Sequence, residues 1–407
     1  MSKKYKFERR DFLKLMGAGA VATGLPGPLL SQLSPLAFAS DNPLSNKILV
    51  VLELSGGNDG LNTLVPFGDD AYYRHRPTLG IRPDKVRKID DHFGFNPDML
   101  GMERLFKDGN MAIFHGCGYD QPSYSHFTSM AYWQTAAPNS GESLGWVGRL
   151  ADALDPNITP NYLVNVDATQ SLAVVAKNHV PVVFDDPKEF GRKGLFQSRP
   201  LLDTDRVATE NSTSAQRRLL DLAKSARQAS EKVKSACESY KTPIDYGISP
   251  LDLNKIAALI DSDINTRLYY TSFRRNAFDT HVQQPNLHQR LLTYFSDAVS
   301  GFFTDMKRIG RADDVVMLVF SEFGRRVAQN TNLGTDHGTA NNMYLIGNAV
   351  KGGHYGELPS LTNLEDGNML HTTDFRQVYA TAISGWMGLD AHEQVLRNRF
   401  NSFAAFG

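Results

Sequence analysis

The sequence lacks the composition of a nucleic-acid-binding protein, of a cysteine-rich metal protein and of a membrane-anchored protein. Its formal net charge is -1 over 407 residues, so no excess of basic side chains is available to attract nucleic acid or an anionic membrane. Its two cysteines, Cys117 and Cys237, are far apart and form none of the paired spacings that bind zinc. Beyond the N-terminal segment, no apolar run approaches the roughly 20 residues of a membrane-spanning helix. These absences exclude a nucleic-acid partner and a stable membrane anchor.

The N-terminal segment has the pattern of an export signal. Arg9 and Arg10 are followed by Phe-Leu-Lys, by a Gly-rich apolar stretch over residues 15–30, and by small residues that end at Ala39. This pattern predicts a twin-arginine signal peptide over residues 1–39, cleaved near Ala39. An ordinary secretion signal and an amphipathic first helix are the alternatives. The twin-arginine translocase is then expected as a partner during export, and the mature protein is expected to be periplasmic or secreted.

The mature chain, residues 40–407, alternates apolar runs with amphipathic stretches, as one large α/β domain does. Strands are predicted over residues 47–54, 111–115 and 315–320, and helices over residues 125–134, 287–309 and 374–389. Strands that alternate with helices favour a mainly parallel sheet. The polar region from about 187 to 261 has leucines and alanines at helical spacing, and it is predicted to be a helical insertion or cap.

Acidic and imidazole side chains follow several of the predicted strands. Glu322 comes directly after the strand at 315–320, and Asp336 and His337 lie in the next loop. Asp59 lies in the glycine-rich turn after the first strand. Ligands of open α/β sheets gather at the carboxyl ends of the strands. Since carboxylates and imidazoles bind divalent metals or move protons, these residues predict a polar, metal-binding site.

Two further groups of residues are candidates for the same site. Asp279 and His281 are two positions apart, so in an extended segment or a turn both side chains can reach one ion. Ser123, Ser125 and His126 stand at the start of a predicted helix. Either serine can act as a nucleophile there, because the N–H groups of a helix N-terminus stabilise a bound anion.

Each of these residues also has a purely structural interpretation. Asp59 suits a turn, and a serine at a helix start is most often an N-cap. Glu322 can pair with Arg325 or Arg326, and an Asp–His pair in a loop is often only a local hydrogen bond. Taken together, oxygen and imidazole groups from several strand ends favour one metal site.

The order of these motifs resembles the DUF1501 family of twin-arginine-exported proteins. The matching segments cover nearly all of the mature chain, and they are Leu54-Ser-Gly-Gly-Asn-Asp-Gly-Leu-Asn62, Asp69-Asp-Ala-Tyr-Tyr73 with Arg76-Pro-Thr-Leu79, Pro122-Ser-Tyr-Ser-His-Phe127, Asp279-Thr-His281, Ser321-Glu-Phe-Gly-Arg325 and Thr335-Asp-His-Gly-Thr-Ala340. That family is similar to the alkaline phosphatase and sulfatase superfamily. The resemblance implies an α/β/α sandwich with a mainly parallel central sheet, and metal-assisted hydrolysis of phosphate or sulfate esters.

The resemblance also implies a set of metal ligands. These ligands are Asp59, Asp279, His281, Glu322, Asp336 and His337. Asp59 matches the superfamily's ligand after the first strand. The place of the second metal's Asp–His pair reads Glu322-Phe323, so the imidazole is missing there. One or two divalent ions are expected, chosen from zinc, magnesium, calcium and manganese.

The catalytic residues implied by the resemblance lie beside this set. Ser125 is expected to be the nucleophile, with Ser123 as the alternative. His126 is expected to orient the leaving group or to act as general acid, and Arg325 to hold a substrate oxygen with two donors. The expected function is an exported, metal-dependent hydrolase of a small-molecule or glycan ester. The residue pair Glu322-Phe323 favours a different class, a non-catalytic periplasmic binding or assembly factor with the same fold.

Overall fold

The computed structural model describes residues 46–188, 193–194, 197–200, 212–248 and 251–407. The predicted signal peptide lies outside these residues, and so does part of the predicted insertion. No helix within the described ranges combines the length and the hydropathy that crossing a membrane requires. Cys117 and Cys237 are both free thiols.

A large sheet and three small ones contain the strands of the described residues. In chain order the strands are β1 Ile48–Glu53, β2 Leu64–Val65, β3 Arg87–Lys88, β4 Gly94–Phe95, β5 Met111–Gly118, β6 Leu163–Val166, β7 Val182–Phe184, β8 Lys193–Gly194, β9 Gln197–Pro200, β10 Leu268–Ser272, β11 Val315–Phe320, β12 Asn341–Ile346, β13 Gly353–Tyr355, β14 Leu364–Glu365, β15 Asn368–Met369 and β16 Thr373–Asp374. The central sheet has nine strands in the order β13-β5-β12-β11-β1-β10-β6-β7, with β16 also paired to β5. The small sheets are β2-β4-β3, β8-β9 and β14-β15.

The direction of the strands in the central sheet determines which loops share an edge. β1 is parallel to both β10 and β11. Within the described part of this sheet only β12 runs against its neighbours, β11 and β5. The carboxyl ends of β1, β5, β10 and β11 therefore lie at one edge, together with the residues that precede β12. The prediction of a mainly parallel sheet is confirmed.

The helices and the shorter helical turns pack around this sheet. They are α1 Gly60–Thr63, α2 Asp70–His75, α3 Leu100–Lys107, α4 His126–Thr135, α5 Trp146–Leu154, α6 Ser214–Ser239, α7 Leu253–Asp261, α8 Gln284–Arg308, α9 Phe375–Ala380 and α10 His392–Leu396, with 3-10 turns at Leu172–Val174 and Ala312–Asp314 and a π-helix at Thr381–Trp386. The helix predicted over residues 374–389 is therefore an α-helix only as far as Ala380 and continues as the π-helix. The helix predicted over 287–309 begins earlier, at Gln284.

Both faces of the sheet are covered by helices. Alternate side chains of a strand point to opposite faces, and in β1 the residues Ile48, Val50 and Leu52 pack in one apolar core with α3, α6, α7 and α8. Leu49 and Val51 pack in a second core with α4, α5, α9 and α10. The protein is therefore an α/β/α sandwich, as predicted.

The region predicted as a helical insertion contains α6 and α7. Leu253, Ile256 and Leu259 of α7 are fully buried in the first core, so α7 belongs to the helical layer of the sandwich. Among the described side chains of α6, residues such as Ala229 and Val233 are buried against the same core. The described side chains of α6 and α7 thus pack on the first apolar core of the domain.

Asp305 on α8 joins this region to the core. Its buried carboxylate accepts hydrogen bonds from the hydroxyls of Tyr240 (2.5 Å), Thr242 (2.9 Å) and Tyr246 (2.8 Å), and from Arg308 Nε (2.5 Å). Burial alone raises the pKa of this carboxyl, but the four donors lower it by more. Asp305 is therefore held as a charged acceptor at the end of the inserted region.

We expect Asp305→Asn to lower the free energy of unfolding by about 3 kcal/mol at neutral pH, because hydrogen bonds to a charged group contribute about 1.5–3 kcal/mol each. Folding lowers the pKa of Asp305, so its contribution is present above the unfolded value of about 3.9. The contribution is lost as the pH falls through the folded pKa. Urea unfolding should therefore show the difference between variant and wild type shrinking below about pH 4.

The matched control for this change is Asp390→Asn. Asp390 is paired to Arg399 at 3.4 Å on the exposed surface, and such pairs contribute at most about 1 kcal/mol. An equal decrease in the free energy of unfolding in the two variants would contradict the role given to Asp305. So would a difference in this free energy between Asp305→Asn and wild type that does not change with pH.

Candidate metal centre

Asp279 is the common contact of three histidines at the carboxyl edge of the sheet. Asp279 and His281 lie in the loop after β10, and His126 is the first residue of α4, which follows β5. His337 lies in the loop before β12. The shared direction of β5 and β10 and the reversed direction of β12 place all three segments at one edge.

Each histidine turns its Nε2 atom toward the Asp279 carboxylate. Nε2 of His281 lies 3.0 Å from Oδ1, and Nε2 of His337 lies 3.1 Å from the same atom. Nε2 of His126 lies 3.3 Å from Oδ2. The Nε2 atoms of His281 and His337 are only 2.9 Å apart. The ligand atoms of His126, Asp279 and His337 therefore share one small volume, and His281 lies beside it, in contact with Asp279 and His337.

The other ring nitrogen of each histidine, Nδ1, is held by an oxygen acceptor. The pairs are His126 with Glu322 Oε1 at 2.7 Å, His281 with Asp336 Oδ1 at 3.3 Å, and His337 with the Tyr124 carbonyl oxygen at 2.7 Å. A partner at Nδ1 fixes the ring orientation and leaves Nε2 as the ligand atom, which is the usual arrangement around metal-bound histidines.

The spacing of these atoms fits one divalent ion. Nitrogen and oxygen ligands lie about 2.0–2.2 Å from zinc, so two ligands of a tetrahedral site are about 3.3 Å apart. The observed contacts of 2.9–3.3 Å agree with this spacing. The ligand atoms of His126, Asp279 and His337 all lie within 4.8 Å of one another. Three imidazoles with a single carboxylate suit zinc or another transition metal, whereas magnesium and calcium prefer oxygen ligands.

Charge at the site is set by contacts between the imidazoles and the carboxylates. Burial alone lowers the pKa of His126, but its hydrogen bonds to Asp279 and Glu322 raise it to about 9. Burial raises the pKa of Asp279, and hydrogen bonds from His126, His337 and Arg325 lower it by far more. A cation bound at these atoms would replace the His126 proton, because metals bind neutral imidazole.

Glu322 was predicted as a direct ligand, and the structure places it one layer behind the ligand atoms. Its side chain is fully buried, and both carboxylate oxygens accept from the Gly56 N–H, at 2.9 and 3.1 Å. Glu322 therefore orients His126. The imidazole next to Glu322 is that of His126, a residue that the sequence had assigned to catalysis. The Phe323 ring packs against it with ring centroids 4.8 Å apart.

Asp336, also predicted as a ligand, lies at the rim. Its side chain is about half exposed, and its Oδ1 accepts from Asn330 Nδ2 at 3.0 Å and contacts His281 Nδ1. The Asn330 hydrogen bond lowers the pKa of this carboxyl, and His281 adds to the effect. Asp336 thus orients His281 as Glu322 orients His126.

Arg325, predicted to hold a substrate oxygen, donates to protein acceptors in the structure. The side chain is buried, and Nε donates to the Gly57 carbonyl (2.5 Å) and Nη1 to the Thr335 carbonyl (2.8 Å). Nη2 donates to the Phe278 carbonyl (3.1 Å) and to Asp279 Oδ1 (2.8 Å). Because its donors are taken by protein acceptors, Arg325 fixes Asp279 and the loops around it.

Asp59 is likewise not among the groups around Asp279. Its carboxylate is fully buried, lies 2.6 Å from Arg76 Nη1, and accepts from Gln284 Nε2 at 2.5 Å. Burial raises the pKa of Asp59, but Arg76 lowers it by more, so the carboxylate stays charged. In the structure Asp59 neutralises a buried arginine beneath the site, and its Oδ1 has no hydrogen-bond partner among the described residues. Gln284 links this pair to the loop of His337, because its Oε1 accepts from the Thr335 hydroxyl at 2.7 Å.

The two candidate nucleophiles differ in their surroundings. Ser125 is the residue before α4 and is exposed, and its side chain makes no capping hydrogen bond. The Ser123 hydroxyl accepts from the Ser125 N–H at 3.3 Å, and the Ser123 N–H donates to the Tyr119 hydroxyl at 3.0 Å. The N-cap interpretation therefore does not apply to the Ser125 side chain, and its hydroxyl is the freer of the two.

Sequence reasoning missed the backbone groups of the site. The Tyr124 carbonyl orients His337, and the Gly56 N–H orients Glu322. Backbone groups occur in every residue, so the amino-acid types in the sequence do not reveal such contacts. A signal was available at Gly56, which has a φ of +114°. A Cβ there would lie 2.6 Å from Asp279 N and 2.7 Å from the Asn276 carbonyl oxygen. The glycine-rich turn after β1 thus reflects a close approach of the backbone to the loop that carries Asp279.

The family model described as "Protein of unknown function (DUF1501)" matches residues 46–400. The chain therefore belongs to this family, and the resemblance in its motifs is confirmed. No curated protein matches the sequence significantly.

Solved structures similar to this chain share little sequence with it. The lipoteichoic acid synthase LtaP from Listeria monocytogenes is 12% identical, with 82% of this chain and 76% of that chain covered and a TM-score of 0.37. A protein in the alkaline phosphatase superfamily from Vibrio parahaemolyticus is 12% identical, with 86% and 71% covered and a TM-score of 0.33. The C-terminal periplasmic domain of EcEptC from Escherichia coli, in complex with Zn, is 10% identical, with 74% and 72% covered and a TM-score of 0.34. With TM-scores of 0.33–0.37, these similarities do not indicate an activity for this chain.

Proposed function

We propose that this member of the DUF1501 family is a metal-dependent hydrolase of phosphate or sulfate esters. The observation that carries the proposal is the set of three histidines, each held by an acceptor at Nδ1 and each turned toward Asp279 at Nε2. A histidine with a purely structural role does not need a fixed tautomer, and it does not need to face the same group as other histidines. Histidines that bind one metal ion need both features.

The metal would be held by Asp279 and by Nε2 of His126 and His337, whose ligand atoms lie within 4.8 Å of one another, with Nε2 of His281 beside them. Such an ion, when bound, polarises the ester oxygen and lowers the pKa of an attacking hydroxyl. Glu322 and Asp336 fix the planes of two of these imidazoles, and the Tyr124 carbonyl fixes the third. Zinc is the ion that this donor set suits best among those expected.

Ser125 is the proposed nucleophile. Its hydroxyl is one residue from His126 and stands at the N-terminus of a helix of 10 residues, where N–H groups stabilise a transferred anionic group. In the proposed reaction Ser125 Oγ bonds to phosphorus or sulfur as the bond to the leaving oxygen breaks. The serine proton passes to solvent and the leaving alcohol takes one up. Water then cleaves the serine ester, restoring the hydroxyl and releasing phosphate or sulfate.

One observation favours the alternative, a non-catalytic binding or assembly factor. Arg325 Nη2 already lies 2.8 Å from Asp279 Oδ1, so one carboxylate oxygen has a cationic partner within the protein. If this pairing keeps the metal out, the cluster is a polar network that orders the loops. Metal content and turnover, measured on the same preparation, distinguish the two functions.

The test of the proposal is Ser125→Ala, assayed with aryl phosphates and aryl sulfates on protein loaded with zinc. We expect turnover to fall at least ~10³-fold, because a covalent mechanism cannot proceed without its nucleophile. Metal content and melting temperature should stay at wild-type values, since the Ser125 side chain makes no capping bond. Loss of turnover in Ser123→Ala but not in Ser125→Ala would move the role to Ser123. No turnover in the wild-type protein would favour the binding factor.

A further inference from the structure

Three large side chains that are exposed to solvent belong to the same chain segments as the histidines of the candidate metal centre. Phe127 directly follows His126 and is 90% exposed, and Val282 directly follows His281 and is 57% exposed. Tyr124, two residues before His126, is 43% exposed. Single exposed apolar residues are common on protein surfaces, but these three are all within two positions of a histidine of the centre.

Contacts of the backbone and of the ring hold Tyr124 at the centre. Its carbonyl oxygen accepts from His337 Nδ1 at 2.7 Å, and its hydroxyl accepts from Asn368 Nδ2 at 3.1 Å. The ring is therefore fixed at both ends while remaining open to solvent. Phe127 lies in the first turn of α4, and adjacent Cα atoms are about 3.8 Å apart, so its backbone cannot lie far from the imidazole of His126.

The exposure of Phe127 needs a reason, because leaving such a side chain in water forgoes the stabilisation that burial gives. The same helix buries Trp133 completely in the second core, so α4 has an inward face available for aromatic residues. The Phe127 side chain is instead exposed, directly after Ser125 and His126 in the sequence. An apolar surface beside a polar centre fits a molecule with both characters.

From this juxtaposition we infer that the substrate is an amphiphilic ester, with its anionic group at the centre and an apolar leaving group against Tyr124, Phe127 and Val282. The inference rests on the proposed function, and it specifies the substrate class of that site. A flat or extended hydrocarbon group is the chemistry that the three side chains recognise, because aromatic and branched aliphatic surfaces offer contact area without hydrogen-bond donors.

The experiment compares ethyl and decyl monoesters of phosphate and of sulfate, which have similar intrinsic reactivity and differ in apolar length. The decyl ester is used below its micelle-forming concentration, so that single molecules are tested. We expect wild-type protein to show a kcat/KM for the decyl ester at least about tenfold above that for the ethyl ester, which is the effect of burying part of a chain. In Phe127→Ser this ratio should fall about tenfold, and in Val282→Ser by a smaller factor.

The matched control is Ile248→Ser. Ile248 is 83% exposed, and its neighbour Gly247 faces Asp297 in the middle of α8, away from the metal centre. This variant should keep the wild-type ratio. Melting temperature and zinc content are measured for all variants, so that a misfolded protein is not mistaken for one that has lost an apolar contact.

A second measurement separates this inference from the proposed function. Binding of decyl and ethyl phosphonates, which cannot be hydrolysed, is followed by calorimetry on zinc-loaded protein. Tighter binding of the decyl compound that is lost in Phe127→Ser would support the apolar contact even in a protein without turnover. Equal affinities and equal kcat/KM values for both chain lengths in an active wild-type protein would overturn the inference and leave the hydrolase intact.

Discussion

Replacing Asp279 with Asn is expected to remove the metal ion and to lower kcat/KM for an aryl phosphate or sulfate at least ~10³-fold. A bound metal supplies several kcal/mol of transition-state stabilisation, and each 1.36 kcal/mol is a factor of ten in rate. Asp279 is the group that all three histidines face. Elemental analysis and steady-state kinetics on the same preparation check this prediction.

The stability of Asp279→Asn should depend on zinc in a different way from the wild type. An ion that binds only the folded protein adds about 4 kcal/mol when its concentration is ~1,000 times its Kd. Zinc should therefore raise the melting temperature of the wild type and leave that of the variant unchanged. Asp120→Asn is the matched control, because this aspartate is 97% exposed and lies 3.7 Å from its ion-pair partner, His371. Normal zinc content in Asp279→Asn would contradict the metal centre.

The central strands could be predicted from sequence because they are short, apolar and bounded by turn residues. β1 and β11 are buried at every position, which is typical of central parallel strands. The reversal of β12 could not be predicted, because an apolar run has the same pattern in both directions. It is this reversal that brings His337 to the edge where β5 and β10 end.

Part of the metal centre could be predicted for the same reason. Asp279, His281 and His337 follow or precede strands at one edge, and their residue types are those of metal ligands. The relation of Glu322 to His126 could not be foreseen, because the two residues are 196 positions apart and only the packing of α4 on the sheet brings them together. The sequence predicted Glu322 as a ligand and His126 as a catalytic residue, and the structure pairs the Glu322 carboxylate with Nδ1 of His126 at 2.7 Å.

Arg325 and Asp59 show a limit of a different kind. Residue type and position after a strand are the same for a catalytic charge and for a buried structural one. What separates them is the partner, and for Asp59 that is Arg76, whose side chain is also fully buried. The charge of Asp59 has a countercharge at 2.6 Å and no exposed surface, so it is neutralised within the protein, while its Oδ1 has no hydrogen-bond partner among the described residues.

Asp59→Asn is therefore expected to lower the free energy of unfolding by about 3–5 kcal/mol without reducing zinc content. Removing one partner of a buried pair leaves the other charge uncompensated, and this is the cost commonly found. Arg76 keeps its bonds to the Val327 carbonyl (2.9 Å) and the Arg326 carbonyl (3.0 Å), but neither acceptor carries a full charge. Urea unfolding of the zinc-free proteins measures this loss.

Comparison of the two aspartate variants distinguishes a metal ligand from a buried structural charge. Asp279→Asn should lose zinc, whereas Asp59→Asn should lose zinc-free stability and keep normal zinc content. The double variant Asp59→Asn with Arg76→Met should be less destabilised than the sum of the two single variants, because the buried positive charge is gone. Zinc loss in Asp59→Asn, at wild-type stability of the zinc-free protein, would return Asp59 to the ligand set that its position after the first strand predicts.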